Sequence, residues 1–389
     1  MKTTDTALLG HVSGQALSAS ALSDLWTMCT GVLIQGRILG ILVGQSIGAN
    51  NYNLALVYLR ISYLILGSIS ILVMISYLYT EKIWMKLGQN VDIAKDAGYY
   101  SFVFIFSLPA QLGWNQLSQF FSAQRIMNPE VVASVIGLVC NLIVGLVVVM
   151  GIPFKGFDGW GFAACPVVTV VIVWCQFIIL WGYFRWFRRK DPLWIVRYGV
   201  SSQSLWSSLT EGINMERIRK FSELYFPAAL ALASDFWRMG VIGAVAATLG
   251  EIEVGLFNAS YRVLWITLIF VGALSGATGI KIGLRLGNGD AKGARQAGVV
   301  GIFLAFLCLL FLSVIVYFNT RKFGRIFTND ERYLDLFEEC RLPFTCTLFF
   351  MNLAVGIETI PLSMGRASGV FYAGFVASWF GEFLSQLLT

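Results

Sequence analysis

Apolar runs recur along almost the whole chain, separated by short polar turns, and they are continuous rather than alternating. A run of about 20 apolar residues crosses a bilayer as a helix, whereas a strand barrel alternates lipid-facing and lumen-facing positions. The pattern therefore predicts an all-α polytopic membrane protein. Its helices are expected at roughly 16–47, 51–79, 92–124, 129–151, 159–187, 218–249, 252–286, 290–318, 333–364 and 369–389. Residues 1–9 read as the tail of a further helix that ends at the loop-like segment His11–Gly14.

Glycine marks two of these runs. Gly36, Gly40, Gly44 and Gly48 recur every fourth residue, and so lie along one helix face. Gly272, Gly276, Gly279, Gly283 and Gly287 form a second stripe. An offset of 239 residues places Gly40, Gly44 and Gly48 on Gly279, Gly283 and Gly287, and Ala55 on Ala294. Such stripes let backbones pack closely, and their recurrence at one offset predicts two copies of one bundle.

The helix at 159–187 closes the first copy, and its partner is expected beyond Thr389. The expected design has two six-helix lobes related by an internal parallel repeat, with its terminal helices incomplete in this chain. Residues 1–187 form the first lobe, 188–217 a linker and 218–389 the second lobe. The linker opens with Arg188, Arg189 and Lys190, which with Arg185 mark a cytoplasmic boundary. Trp194, Ile195 and Leu205 suggest a helix lying on the membrane surface.

Composition supports the same class: 57% of residues are hydrophobic and 13% charged. The net charge of +6 falls mostly in loops, as a topology signal and not a nucleic-acid footprint. The seven cysteines include no CxxC pair and His11 is the single histidine, so neither a metal site nor a catalytic cluster is expected. With no nucleophile–base pair and no nucleotide-binding motif, an enzyme or a directly ATP-driven pump is not expected.

Short segments in order along the chain resemble the MATE (multidrug and toxic compound extrusion) transporter family. They are DTALLGHVSG at 5–14, GQSIGANN at 44–51, AQRIMNPEVVASVIGLVCN at 123–141 and GWGFAA at 159–164. In the second half they are FPAALALASDFWRM at 226–239, IGLRLGNGDAKGA at 282–294 and IFTND at 326–330. The resemblance implies a cavity that opens alternately to each side and exports small organic solutes in exchange for H⁺ or Na⁺. It implies no cofactor beyond that ion, a bilayer and a small-molecule substrate as partners, and a single-chain unit. The membrane itself, plasma or organellar, is left open.

An ionisable group at bilayer depth needs a partner or a function. Asp5 matches the family's first-helix acid and is the leading cation-coupling candidate. Asn141 matches a fifth-helix asparagine that binds a cation or holds the aspartate, with Gly145 standing where relatives often carry a second polar residue. Asp235 matches the seventh-helix acid, although Arg238 lies three residues on and in the alternative reading neutralises it. Met351 or Asn352 takes the place of a tenth-helix acid, leaving Glu358 either to compensate or to pair with Arg366. Arg262 and Lys281 are read as snorkelling to the interfaces. Arg37 and Arg238 make the interior basic, which favours organic anions as cargo and keeps open a second function, flipping of lipid-linked sugars. A degenerate, non-transporting membrane protein is the third reading.

Overall fold

The computed structural model describes residues 2–36, 38–152, 156–190, 212–249, 251–325, 331–377 and 379–380. Arg37, the surface helix expected near Trp194 and Leu205, and the segment 326–330 lie outside the described residues. The regular elements of the described backbone are all helices, and seven segments are long and apolar enough to cross a membrane.

The chain forms two compact units. The first comprises Met1–Val43 and Tyr52–Ser222, the second Gly44–Asn51 and Glu223–Thr389. In the first unit, α1 is Lys2–Val12, α2 Gly14–Gly31 and α3 Ile38–Gly48, with Gly44–Gly48 of α3 counted with the second unit. Then follow α4 Tyr52–Leu78, α5 Thr80–Lys86, α6 Val91–Ile105, α7 Leu108–Ala123, α8 Asn128–Met150 and α9 Ala164–Lys190. His11, expected in a turn, belongs to the last turn of α1, and Ser13 caps α2 by accepting the Ala16 N–H at 3.0 Å.

Two expected helices of the first unit are broken for local reasons. The run at 92–124 is α6 and α7, which meet at Phe106–Ser107. Pro109 in the first turn of α7 has no N–H to give, a position where helices start more readily than they continue. The Ser107 hydroxyl donates to the Phe104 carbonyl at 2.7 Å and accepts from the Gln111 amide at 2.8 Å, so polar groups at the joint stay satisfied. The run at 16–47 is likewise divided: a short 3-10 turn, Val32–Ile34, follows α2, and Gln35 and Gly36 are non-helical.

The second unit contains α10 Met215–Leu249, most of which follows its boundary, α11 Glu251–Gly287, α12 Ala291–Arg325, α13 Glu331–Glu339, α14 Arg341–Ser363 and α15 Ala367–Val376. The run expected at 333–364 is two helices. The amphipathic α13 is clamped to the end of α12 by Arg321, which pairs with Asp335 at 2.7 Å, Glu338 at 3.0 Å and Glu331. Arg321 and Arg325, near the end of α12, are thus paired locally with acids of α13. Within this unit the glycine stripes meet. Gly44 lies where a Cβ would stand 3.4 Å from the Ile280 carbonyl oxygen, and a Cβ at Gly48 would collide with the Leu284 carbonyl. The Gln45 amide donates to the Ser363 carbonyl at 3.1 Å, fastening the same segment to α14.

Candidate functional site

The first unit builds its polar centre on a face of small residues. Ala133, Gly137, Asn141, Gly145 and Val149 recur every fourth residue and form the buried face of α8. Asn141 is the one strongly polar side chain in that stripe. A Cβ at Gly145 would come within 2.5 Å of the Leu8 side chain, so the glycine admits α1 one turn away from Asn141. Gly145 is therefore a packing residue here, and no donor is needed at its position for α1 to dock.

Asp5 projects from α1 into that crevice and is 3% exposed. The Asn141 amide donates to the Thr169 hydroxyl at 3.2 Å, and Thr169 donates to the Asp5 carboxylate at 2.7 Å. All three side chains are buried, and the Asn141 Oδ1 has no hydrogen-bond partner. A carboxylate, a hydroxyl and an idle amide oxygen form an oxygen-rich set suited to a hard monovalent cation or a proton. Close by, the Lys2 ammonium pairs with Asp24 at 3.0 Å and donates to the Thr27 hydroxyl at 3.3 Å.

The second unit treats its charges differently. Arg238 on α10 is buried and lies 3.7 Å from Asp235, whose carboxylate is nearly half exposed. Glu358 on α14 is half-buried and within electrostatic range of Asp235, and no ion pair joins it to Arg366 among the described residues. Ser234, immediately before Asp235, accepts from the Trp379 indole at 2.6 Å. Asn352 repeats the motif of the first unit, donating to the Thr267 hydroxyl at 3.0 Å with its own Oδ1 buried and unpartnered. Thr267, however, donates to the Leu264 carbonyl at 2.7 Å and reaches no carboxylate. Arg262 and Lys281 are exposed on the helix surface.

Of the residues singled out from the sequence, the structure brings Asp5 and Asn141 together, through Thr169, and Asp235 with Arg238. Thr169 was missed, since a lone threonine among valines at 167–171 carries no signal. Asp24 was missed despite one: it is the single acid in the apolar run 16–47.

Comparison with known proteins identifies relatives of the chain. The MatE family profile matches residues 1–147 and 227–385. "Protein DETOXIFICATION 18" of Arabidopsis thaliana is 24% identical over 359 residues, 91% of this chain and 70% of that protein. "Multidrug and toxin extrusion protein 1" of Xenopus tropicalis is 24% identical over 346 residues, 88% of this chain and 57% of that protein. Among solved structures, the eukaryotic MATE transporter AtDTX14 superposes with a TM-score of 0.85 at 20% identity, covering 97% of this chain and 82% of that one.

Proposed function

The chain belongs to the MatE family, an integral multi-pass membrane protein, and from that premise we propose that it is a secondary active antiporter that exports a small organic solute in exchange for H⁺ or Na⁺. The observation that carries this reading is the buried Asp5–Thr169–Asn141 chain. When the carboxylate is empty, the Thr169 hydroxyl holds it as an acceptor. A proton binds on the carboxylate, and Na⁺ instead takes oxygens from Asp5, Thr169 and Asn141. Either ion cancels a charge that is costly inside a membrane. Entry of the ion down its gradient then drives the return of the cavity, and exit of cargo follows.

The two glycine stripes support the same reading, because backbones packed without side chains slide or bend with few steric barriers. Asp235 serves as a second coupling acid in this scheme or, paired with Arg238, as a cargo-facing group. The buried guanidinium of Arg238 favours the variant in which cargo is an organic anion, and it also sustains the alternative of a lipid-linked sugar flippase.

The test uses the full-length protein in proteoliposomes. A pH gradient and then a sodium gradient are imposed, and efflux of a labelled organic cation and a labelled organic anion is followed. The expected result is flux of one cargo under one gradient, which names ion and cargo together. Silence under both gradients with both cargos, from a folded preparation, overturns the antiporter in favour of the flippase or a non-transporting protein.

A further inference from the structure

The interruption of the second membrane run has an unusual cause. In an uninterrupted helix the Gly40 N–H donates to the Gly36 carbonyl, four residues back. Here the side-chain amide of Gln119, on α7, stands between them. Its nitrogen donates to the Gly36 carbonyl at 3.2 Å, and its oxygen accepts the Gly40 N–H at 3.1 Å. A side chain inserted into the backbone ladder is a recognised source of helix kinks. One turn earlier on α7, Gln116 is fully buried with neither amide atom hydrogen-bonded.

We propose that Gln119 is a withdrawable wedge, and that α2 and α3 switch between a bent state with the amide inserted and a straight state in which Gly40 bonds directly to Gly36. Gln116 is what makes the second state accessible. Positions three apart on a helix are neighbours, so a withdrawn Gln119 amide meets the Gln116 amide. The hydrogen-bond count is then balanced. The bent state has two bonds from Gln119, and the straight state has one from Gly40 to Gly36 and one between the two glutamines. A balanced count is what a bistable element requires, whereas a single unmatched bond would lock it. The position suits a switch in transport, because the residues of α3 divide between the two compact units, Ile38–Val43 with the first and Gly44–Gly48 with the second. Gln119 acts through the backbone at Gly36 and Gly40, and so is a positioning residue.

The test measures the bend itself, and so stands whichever ion or cargo is found. Spin labels are carried on non-canonical residues at the exposed positions Ser18 and Ala49, in the full chain in lipid nanodiscs, and their separation is read by pulsed electron resonance. A straight helix over that span measures about 46 Å, and a kink shortens it. The wild type is expected to show two populations. Gln119→Leu is expected to leave the longer one alone, and Gln116→Leu, which removes the resting partner, to leave the shorter one alone. A single wild-type distance that neither substitution changes overturns the proposal, as does a shortening in Gln119→Leu. Should Gln119→Leu fail to fold, the Gln116→Leu result decides by itself: loss of the long population supports the wedge, and an unchanged distribution rejects it.

Discussion

The two units carry the same buried pair, an asparagine donating to a threonine hydroxyl, and put it to different ends. In the first unit Thr169 passes its own hydrogen to Asp5, so the pair becomes the base of a carboxylate site. In the second, Thr267 turns its hydrogen back onto the Leu264 carbonyl, and the buried guanidinium of Arg238 pairs separately with Asp235. One acid is held by neutral donors and the other by a guanidinium. A carboxylate among neutral donors still has a charge for an ion to cancel, whereas one beside an arginine already has its counter-charge. Within the proposed antiporter, the difference favours the first unit for ion coupling and the second for cargo recognition.

Substitutions placed symmetrically in the two units put that assignment at risk. The largest effect is expected from Asp5→Asn, which removes the only carboxylate of the three-residue chain. Gradient-driven flux should fall at least ~100-fold, or about 2.7 kcal/mol, while cargo binding measured without a gradient stays near the wild-type value. Next comes Gly145→Val. The added side chain meets Leu8, and overpacking of this kind costs roughly 1–3 kcal/mol. A lowered thermal midpoint together with weakened ion binding is expected, because α1 carries Asp5 with it. A lowered midpoint with ion affinity unchanged would separate packing from the site.

Thr169→Val and Thr267→Val form the sharpest pair. A hydrogen bond to a charged group contributes about 1.5–3 kcal/mol, so Thr169→Val should weaken coupling-ion affinity roughly 10- to 100-fold. Thr267→Val should leave ion affinity within about twofold of wild type. Equal effects in the two would erase the distinction between the units. The smallest effect is expected from Arg238→Gln, read as competition between a labelled organic anion and a labelled organic cation. The ratio should shift toward the cation by several-fold, on the order of 1 kcal/mol, with the coupling ion unchanged.

The helical membrane class, the helix positions and the internal repeat were legible in the sequence because each rests on spacing. Apolar length, a glycine every fourth residue and a constant offset survive without coordinates. The breaks were less legible. Pro109 announced the joint between α6 and α7 only once Ser107 and Gln111 were seen to satisfy its polar groups. The separation of α13 from α14 depends on Arg321 gathering acids from residues 331–338, a tertiary arrangement that local hydropathy does not encode. In the candidate site, Asp5 and Asn141 stood out as polar residues in apolar runs. Thr169 did not, because a hydroxyl in a membrane helix usually bonds its own backbone, as Thr267 does. Gly145 was read as a gap in the site, and its contact with Leu8 shows that a missing side chain is what allows α1 to reach α8.

The central claim, that ion coupling belongs to the first unit, is tested most directly by comparing Asp5→Asn and Asp235→Asn in the same proteoliposomes. Export of the identified cargo would be measured under an imposed gradient of the identified ion, alongside gradient-free exchange of cargo. The account predicts that Asp5→Asn abolishes the response to the gradient and retains exchange, while Asp235→Asn keeps the gradient response and alters which cargo is carried. Loss of gradient response in Asp235→Asn, with Asp5→Asn still driven, would contradict it.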